Sequence, residues 1–236
     1  MISIIIPTYN EEENIAETIT EIKKRDNEKL ISEIIISDGQ STDKTVEIAS
    51  NADTTVVVCE KKGRAAQMNY GASIAKEEIL YFLHADSIPP ENFTASILNA
   101  FEKNYIAGCF RLAFDYDHWF LKANCWFTRF DVNAVRFGDQ SLFITKDVFE
   151  KCCGFDANLL MMEDQEIIHR IKKYGKFIVM NGTVTTSARK YLDNGIYRMQ
   201  FIFFRIWLLY YLGYSQQYLL ELHKRLIRKT KLWSDC

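Results

Sequence analysis

Ile2-Ser3-Ile4-Ile5-Ile6-Pro7-Thr8-Tyr9-Asn10-Glu11 opens on a β-branched run and breaks at a proline into polar residues. A continuous apolar run of this length predicts a strand buried on both faces, the environment of a parallel sheet covered by helices. Working outward, Asn10 is placed to cap a following helix, with Glu13 three residues on completing a capping box. Ile15, Ile19 and Ile22 then fall on one helical face. The strand signal returns at Ile34–Ser37, after which Ser41 or Thr42 is expected to open a helix with Val46 and Ala49 inward. Thr55–Cys59 and Ile79–Leu83 read as two more strands. Between them, residues 64–75 place Ala65, Ala66, Met68, Ala72 and Ala75 on a small-residue helix face. This alternation predicts an α/β fold with a doubly wound, mostly parallel sheet.

Farther along, Ala107–Phe114 predicts a strand and Trp119–Phe130 an aromatic helix or lid. Ser141–Thr145 reads as a strand, Asp164–Tyr174 as a helix, and Phe177–Met180 and Thr183–Thr186 as two short strands. From residue 195 the pattern is helical and aromatic and ends in a basic tail. One catalytic domain with a C-terminal helical appendage is the simplest division.

Composition narrows the function classes. Among 236 residues, 48% are hydrophobic and 25% charged, which excludes a disordered chain. Ten Gly and three Pro exclude a collagen-like one. The net charge of −2 provides no basic field for nucleic acid. Six cysteines without a C-x-x-C spacing, behind an N-terminus with no basic n-region, read as reduced thiols of a cytoplasmic protein.

In an open parallel sheet, ligands bind beyond the carboxyl ends of the strands. The strand ends here carry Pro7-Thr8-Tyr9-Asn10-Glu11, Ser37-Asp38-Gly39-Gln40-Ser41 and His84-Ala85-Asp86-Ser87. Neither G-x-G-x-x-G nor G-x-x-x-x-G-K-[ST] follows the first strand, which argues against a dinucleotide oxidoreductase or a P-loop ATPase. His84 and Asp86, two apart, leave a strand on the same side and can face one ion. Phosphate oxygens and a carboxylate suit Mg²⁺, and an imidazole shifts the preference to Mn²⁺. The plain alternative is that both residues cap local structure. Glu163-Asp164 follows the apolar Leu159-Leu160-Met161-Met162. Two acids there either complement a helix dipole or include a carboxylate whose proton affinity is raised for general-base work.

The segments Ile4–Glu11, Ser37–Asp43, Leu83–Asp86 and Glu163-Asp164 together resemble family-2 glycosyltransferases of the GT-A fold. The resemblance covers roughly residues 1–190. Lys62–Asn69, Gly138-Asp139-Gln140, Met162–Asp164 and Thr186–Arg189 are similar to the bacterial radical-SAM/selenodomain-associated subgroup. The resemblance implies a nucleotide-sugar-binding half at 1–115, an acceptor and catalytic half at 116–190, and the appendage at 191–236. It assigns Pro7, Thr8, Tyr9, Glu11, Asp38, Arg64, Asp86 and Arg189 to the nucleotide sugar. Asp164, with Glu163 beside it, becomes the catalytic base, and Gly138, Asp139 and Gln140 lie by the sugar or acceptor. Asp86, with His84 in place of the family's first Asp, would hold Mn²⁺ or Mg²⁺. Arg189-Lys190-Tyr191 stands where processive members carry Q-x-x-R-W, so a single inverting transfer is expected from a UDP- or GDP-linked sugar to a hydroxyl, with a lipid-linked acceptor as one case. A degenerate binding scaffold and a sugar nucleotidyltransferase are the rival readings.

Phe201–Tyr214 reads FIFFRIWLLYYLGY, too short and too charged to cross a bilayer alone. The region 195–231 either packs on the catalytic domain or a second copy, or rests on the inner face of an anionic membrane.

Overall fold

The computed structural model describes residues 1–61, 63–133, 136 and 138–227. Lys62 of the motif above and the tail from residue 228 lie outside the described residues.

The alternating half begins β1 (Ile2–Thr8), α1 (Ile15–Lys24), β2 (Ile31–Asp38), α2 (Thr45–Ser50), β3 (Thr55–Val58), α3 (Arg64–Ile74) and β4 (Ile79–Phe82). It continues through β5 (Ser87–Ile88), α4 (Phe93–Glu102), β6 (Tyr105–Phe114) and α5 (Trp119–Trp126). Then follow β7 (Leu142–Thr145), α6 (Lys146–Lys151), α7 (Glu163–Ile171) and β8 (Lys176–Thr186). The chain closes with α8 (Arg189–Asn194), α9 (Ile196–Tyr211) and α10 (Gln216–Leu226).

These strands form one sheet in the order β3-β2-β1-β4-β7-β6-β8-β5. β1 pairs in parallel with β2 and β4, and β2 with β3, as the alternation requires. β7 runs antiparallel to both β4 and β6, whereas β6 and β8 are parallel, so the sheet is mostly parallel with a reversed strand inside it. Both faces are covered, which accounts for the unbroken apolar runs. Ile4, Ile6, Ile34 and Ile36 pack against Ile15, Ile19 and Ile22 of α1 and Phe93 and Ile97 of α4. Ile5, Ile35 and Leu80 face the other way, onto Ala65, Met68 and Ala72 of α3 and Ile167, Ile168 and Ile171 of α7.

Two helix starts differ from the sequence expectation. α1 begins at Ile15 behind Asn14, so Asn10 is not its cap. Asn10 is left-handed (φ 52°), a conformation its short polar side chain tolerates. Its Oδ1 accepts the Thr42 N–H at 2.8 Å, and its own N–H donates to Ser41 Oγ at 2.8 Å. α2 likewise opens at Thr45 instead of Ser41 or Thr42, because Asp43 accepts the Thr45 N–H at 3.0 Å and the hydroxyls before it serve the neighbouring loop. Ala49 is buried as expected, while Val46 is only half-buried. The two short strands expected at 177–186 are one, β8, kept continuous by pairing along β6 through a register shift.

α3 lies tight on the sheet. Its fully buried Gln67 donates from Nε2 to the carbonyls of Thr8 (2.7 Å) and Ser37 (3.1 Å), tying the ends of β1 and β2 together. A Cβ on Gly71 would stand 2.6 Å from Ile5 Cγ2. Overpacking of a close-packed core by one methyl costs about 1–3 kcal/mol, so Gly71→Ala is expected to lower the unfolding free energy by that much, read as a lower denaturant midpoint at unchanged m-value.

Candidate active site

A cavity of about 480 Å³ opens beyond the carboxyl ends of β1 and β4, within the range of small-molecule sites. Glu11 and Glu13 reach it from the β1–α1 loop, Gly63 and Arg64 from the start of α3, and His84 and Asp86 from the segment after β4. Gly138 and Asp139 come from a 3₁₀ turn leading into β7, Glu163 and Asp164 from the first turn of α7, and Ser187, Arg189 and Lys190 from the end of β8. Phe203, Ile206 and Trp207 of α9 and Leu220 of α10 form an apolar wall with Leu159–Met162.

Arg64 stands at the centre. Its Nε donates to Glu163 Oε1 at 2.6 Å, and its Nη2 lies 2.5 Å from Glu163 Oε1 and 2.7 Å from Asp164 Oδ2. Its Nη1 is 3.2 Å from His84 Nε2. A guanidinium can only donate, so Nε2 accepts and the His84 proton resides on Nδ1, where it is donated to Asp139 Oδ1 at 2.8 Å. Both ring nitrogens of His84 are thus engaged. Asp139 would resist ionisation through burial, but the hydrogen bond from His84, with the charges of Lys190 and Arg64, outweighs this and holds it well below the usual carboxylate range.

Asp164 behaves in the opposite sense. Burial pushes its carboxyl up to about 6; Arg64 pulls downward, and the neighbouring Glu163 charge adds to the rise. Its side chain is 18% exposed, against 3% for Glu163, so Asp164 is the more accessible of the pair from the cavity. Seven carboxylates line the cavity. Arg64 is committed to two of them, and Arg189 reaches Glu13 at 3.2 Å and Glu11 at 3.8 Å. The Asp86 side chain has no ion-pair or hydrogen-bond partner among the described residues.

Residues 3–160 match the family model described as Glycosyl transferase family 2. The chain belongs to that family. Other glycosyltransferases are similar to it at greater distance. A dolichyl N-acetyl-alpha-D-glucosaminyl phosphate 3-beta-D-2,3-diacetamido-2,3-dideoxy-beta-D-glucuronosyltransferase of Methanococcus voltae is 24% identical over 234 residues, covering 83% of this chain and 70% of that protein. Glycosyltransferase AglE of Haloferax volcanii is 32% identical over 98 residues, 39% of this chain and 32% of its own length. The mannosyltransferase PcManGT of Pyrobaculum calidifontis, solved with GDP-Man and Mn²⁺, superposes with a TM-score of 0.69 at 17% identity, over 88% of this chain and 61% of that one. TarS of S. aureus in complex with UDP-GlcNAc gives 0.64 at 15% identity, over 95% of this chain and 71% of that one. At these identities the structural likeness establishes the shared α/β fold.

Of the residues the family motifs single out, Glu11, Arg64, His84, Asp86, Gly138, Asp139, Glu163, Asp164 and Arg189 line the one cavity. Pro7, Thr8, Tyr9, Asp38 and Gln140 do not line it. Asp38 is fully buried, its carboxylate accepting from Thr8 Oγ1 (2.9 Å), Ser41 N (2.8 Å) and Ser41 Oγ (2.6 Å), so it shapes the loop after β2. Gln140 is buried too, donating to the Phe110 carbonyl at 3.0 Å. The aromatic wall from α9 and α10 carries no motif; its only trace in the sequence is the dense run of aromatics after residue 200.

Gly138 sets the position of Asp164. A Cβ there would fall 2.0 Å from Asp164 Oδ2. Misplacing a reacting group by about 1 Å can cost on the order of 10²-fold in rate. Gly138→Ala is therefore expected to lower kcat by about that factor while the unfolding midpoint stays close to wild type, as steady-state kinetics and denaturant titration would show.

Proposed function

We propose that the protein moves a single sugar from a nucleoside-diphosphate donor, UDP- or GDP-linked, to an acceptor hydroxyl with inversion at the anomeric carbon. The observation that carries this reading is Asp164, a partly desolvated carboxylate with raised proton affinity. It faces a cavity whose other side is the strand edge where nucleotides bind in such sheets. The ligands of the neighbouring structures, GDP-Man and UDP-GlcNAc, support the donor class. The name of the Methanococcus relative supports an acceptor hydroxyl carried on a lipid phosphate.

The donor set fits a divalent cation through a single protein carboxylate. A diphosphate entering a cavity lined by seven carboxylates needs added positive charge, and the three lining arginines, Arg64, Arg136 and Arg189, already have carboxylate partners, which leaves Lys190. Asp86 would hold Mg²⁺ or Mn²⁺ together with phosphate oxygens, and His84 would join only if Arg64 left its Nε2. Among the described residues no cluster of three or more His, Cys, Asp or Glu is arranged to hold an ion by itself. When bound, the cation neutralises the charge that develops on the departing diphosphate.

The chain's own groups account for the other end of the displacement. Asp164 accepts the proton of the acceptor hydroxyl as its oxygen attacks the anomeric carbon on the face opposite the leaving group. A proton affinity near 6 suits this task, being high enough to take the proton and low enough to leave the carboxylate ionised at neutral pH. Glu163 and His84 fix Arg64, and Arg64 in turn orients Asp164. Arg189 closes the donor side against Glu11 and Glu13.

Below its pKa Asp164 is protonated and cannot accept, so kcat/KM is expected to rise with pH through a midpoint at about 6. Asp164→Asn is expected to lose about 10²–10⁴-fold in kcat while binding donor normally, since general-base contributions are of that size; near-normal transfer by this variant would sink the assignment of the base. Calorimetric titration of GDP, UDP and their sugars with Mn²⁺, Mg²⁺ or EDTA tests the donor reading. One nucleotide is expected to bind tightly only with metal, and Asp86→Asn to abolish the metal dependence. Absence of binding under every condition would favour a scaffold that has lost the activity.

A further inference from the structure

We propose that the exposed face of α9, continued by Trp119 of α5, docks on an anionic lipid bilayer. Met199, Ile202 and Ile206 bury one side of α9 against the domain. On the other side the exposed residues are Tyr197, Phe201, Phe204, Arg205, Leu208 and Tyr211. Five of these six are aromatic or apolar, spaced by four, three, four and three residues, which makes one stripe along the helix. A helix facing only water carries polar residues there. Phe201 is 64% exposed and Leu212, just past the helix end, 65%. The stripe extends onto α5, where Trp119, 66% exposed, lies with its ring 6.5 Å from that of Tyr197. An apolar surface of this extent marks an interaction site.

Charge decides the occupant. Residues 194–236 hold seven Lys and Arg against two acids, Glu221 and Asp235, in a chain whose net charge is −2. No acid occurs between Asn194 and Leu220. The basic surplus of the protein is therefore concentrated in the segment that bears the stripe, with Arg205 on the stripe's edge and Arg225 exposed at the end of α10. A second copy packed face to face would bring like charges such as Arg205 together, whereas anionic headgroups complement them. Trp and Tyr favour the headgroup level of a membrane. No helix among the described residues is long and apolar enough to cross a bilayer, so α9 would lie in the plane of the interface. Its adjacent flank, with Phe203, Ile206 and Trp207, lines the cavity, so docking would set the apolar wall of the site beside the lipid surface.

Cosedimentation of the full chain with vesicles tests this without donor, acceptor or metal, so its outcome is separate from that of the transferase reading. Vesicles of phosphatidylcholine alone are compared with vesicles containing roughly one third phosphatidylglycerol. Binding is expected to the anionic vesicles and to weaken in about 0.5 M salt. The triple variant Phe201→Ser/Phe204→Ser/Leu208→Ser removes exposed groups outside the cavity and should remain folded by circular dichroism. Its partition coefficient is expected to fall about tenfold or more. Arg205→Glu/Arg225→Glu should lose binding to the anionic vesicles selectively. Wild-type protein that ignores anionic lipid, or a triple variant that binds as well as wild type, overturns the proposal. So does a concentration-dependent dimer in sedimentation velocity that the triple variant lacks and that binds no vesicles, since the face would then belong to a second copy.

Discussion

The guanidinium of Arg64 holds together two parts of the chain that would otherwise repel. It is shared by Glu163 and Asp164, ninety-nine and one hundred residues farther along, and it also meets His84. Two adjacent carboxylates, one almost fully buried, cannot both remain ionised in a desolvated cleft without a cation between them. Arg64 is the first residue of α3, the helix that Gln67 and Gly71 fasten onto the sheet. The position of α3 therefore dictates where Asp164 of α7 sits. Because the same guanidinium tempers the proton affinity of Asp164, any ligand that competes for Arg64 also changes that affinity.

Strand order beyond β4 depends on long-range pairing, which local pattern does not encode. The first four strands were legible because each is a short β-branched or apolar run followed by a polar turn, with β1 and β4 buried along their whole length and β3 an exposed edge. The reversal of β7 leaves no local mark, since a short buried strand reads the same in either direction. The displaced helix starts have a similar origin. Asn10 is an ordinary capping residue, and in isolation it would cap the helix that follows it. In the folded chain Glu12 accepts the Lys44 N–H at 3.0 Å and Asn10 accepts that of Thr42, so the loops after β1 and β2 bind one another. Tertiary partners override the local preference.

The candidate site was legible in the same uneven way. Acids at strand ends and at a helix N-terminus stand out in sequence because the topology sends them to one edge. Side chains that act through partners do not stand out. Asp38 and Gln140 sit in the family motifs, yet both hold the backbone of loops next to the cavity instead of facing it. The wall from α9 and α10 went unread for a different reason. An aromatic helix looks alike whether it covers a core, a ligand or a lipid surface, and only the packing of Met199 and Ile202 fixes which flank turns inward.

Two carboxylates in this cavity have been driven apart in proton affinity, Asp139 downward and Asp164 upward. Asp139, bound to His84 and near Lys190 and Arg64, stays ionised and serves to fix the imidazole. Asp164, raised by burial and by Glu163, is left able to exchange a proton near neutral pH. A shared environment would have given the two similar affinities and no division of labour. The 3₁₀ turn at 138–140 produces the difference, because Gly138 lets Asp164 pack against bare backbone while the next residue turns its carboxylate onto His84. A single turn of chain thus makes room for Asp164 and holds the histidine, and a Cβ at its first position would collide with the Asp164 carboxylate.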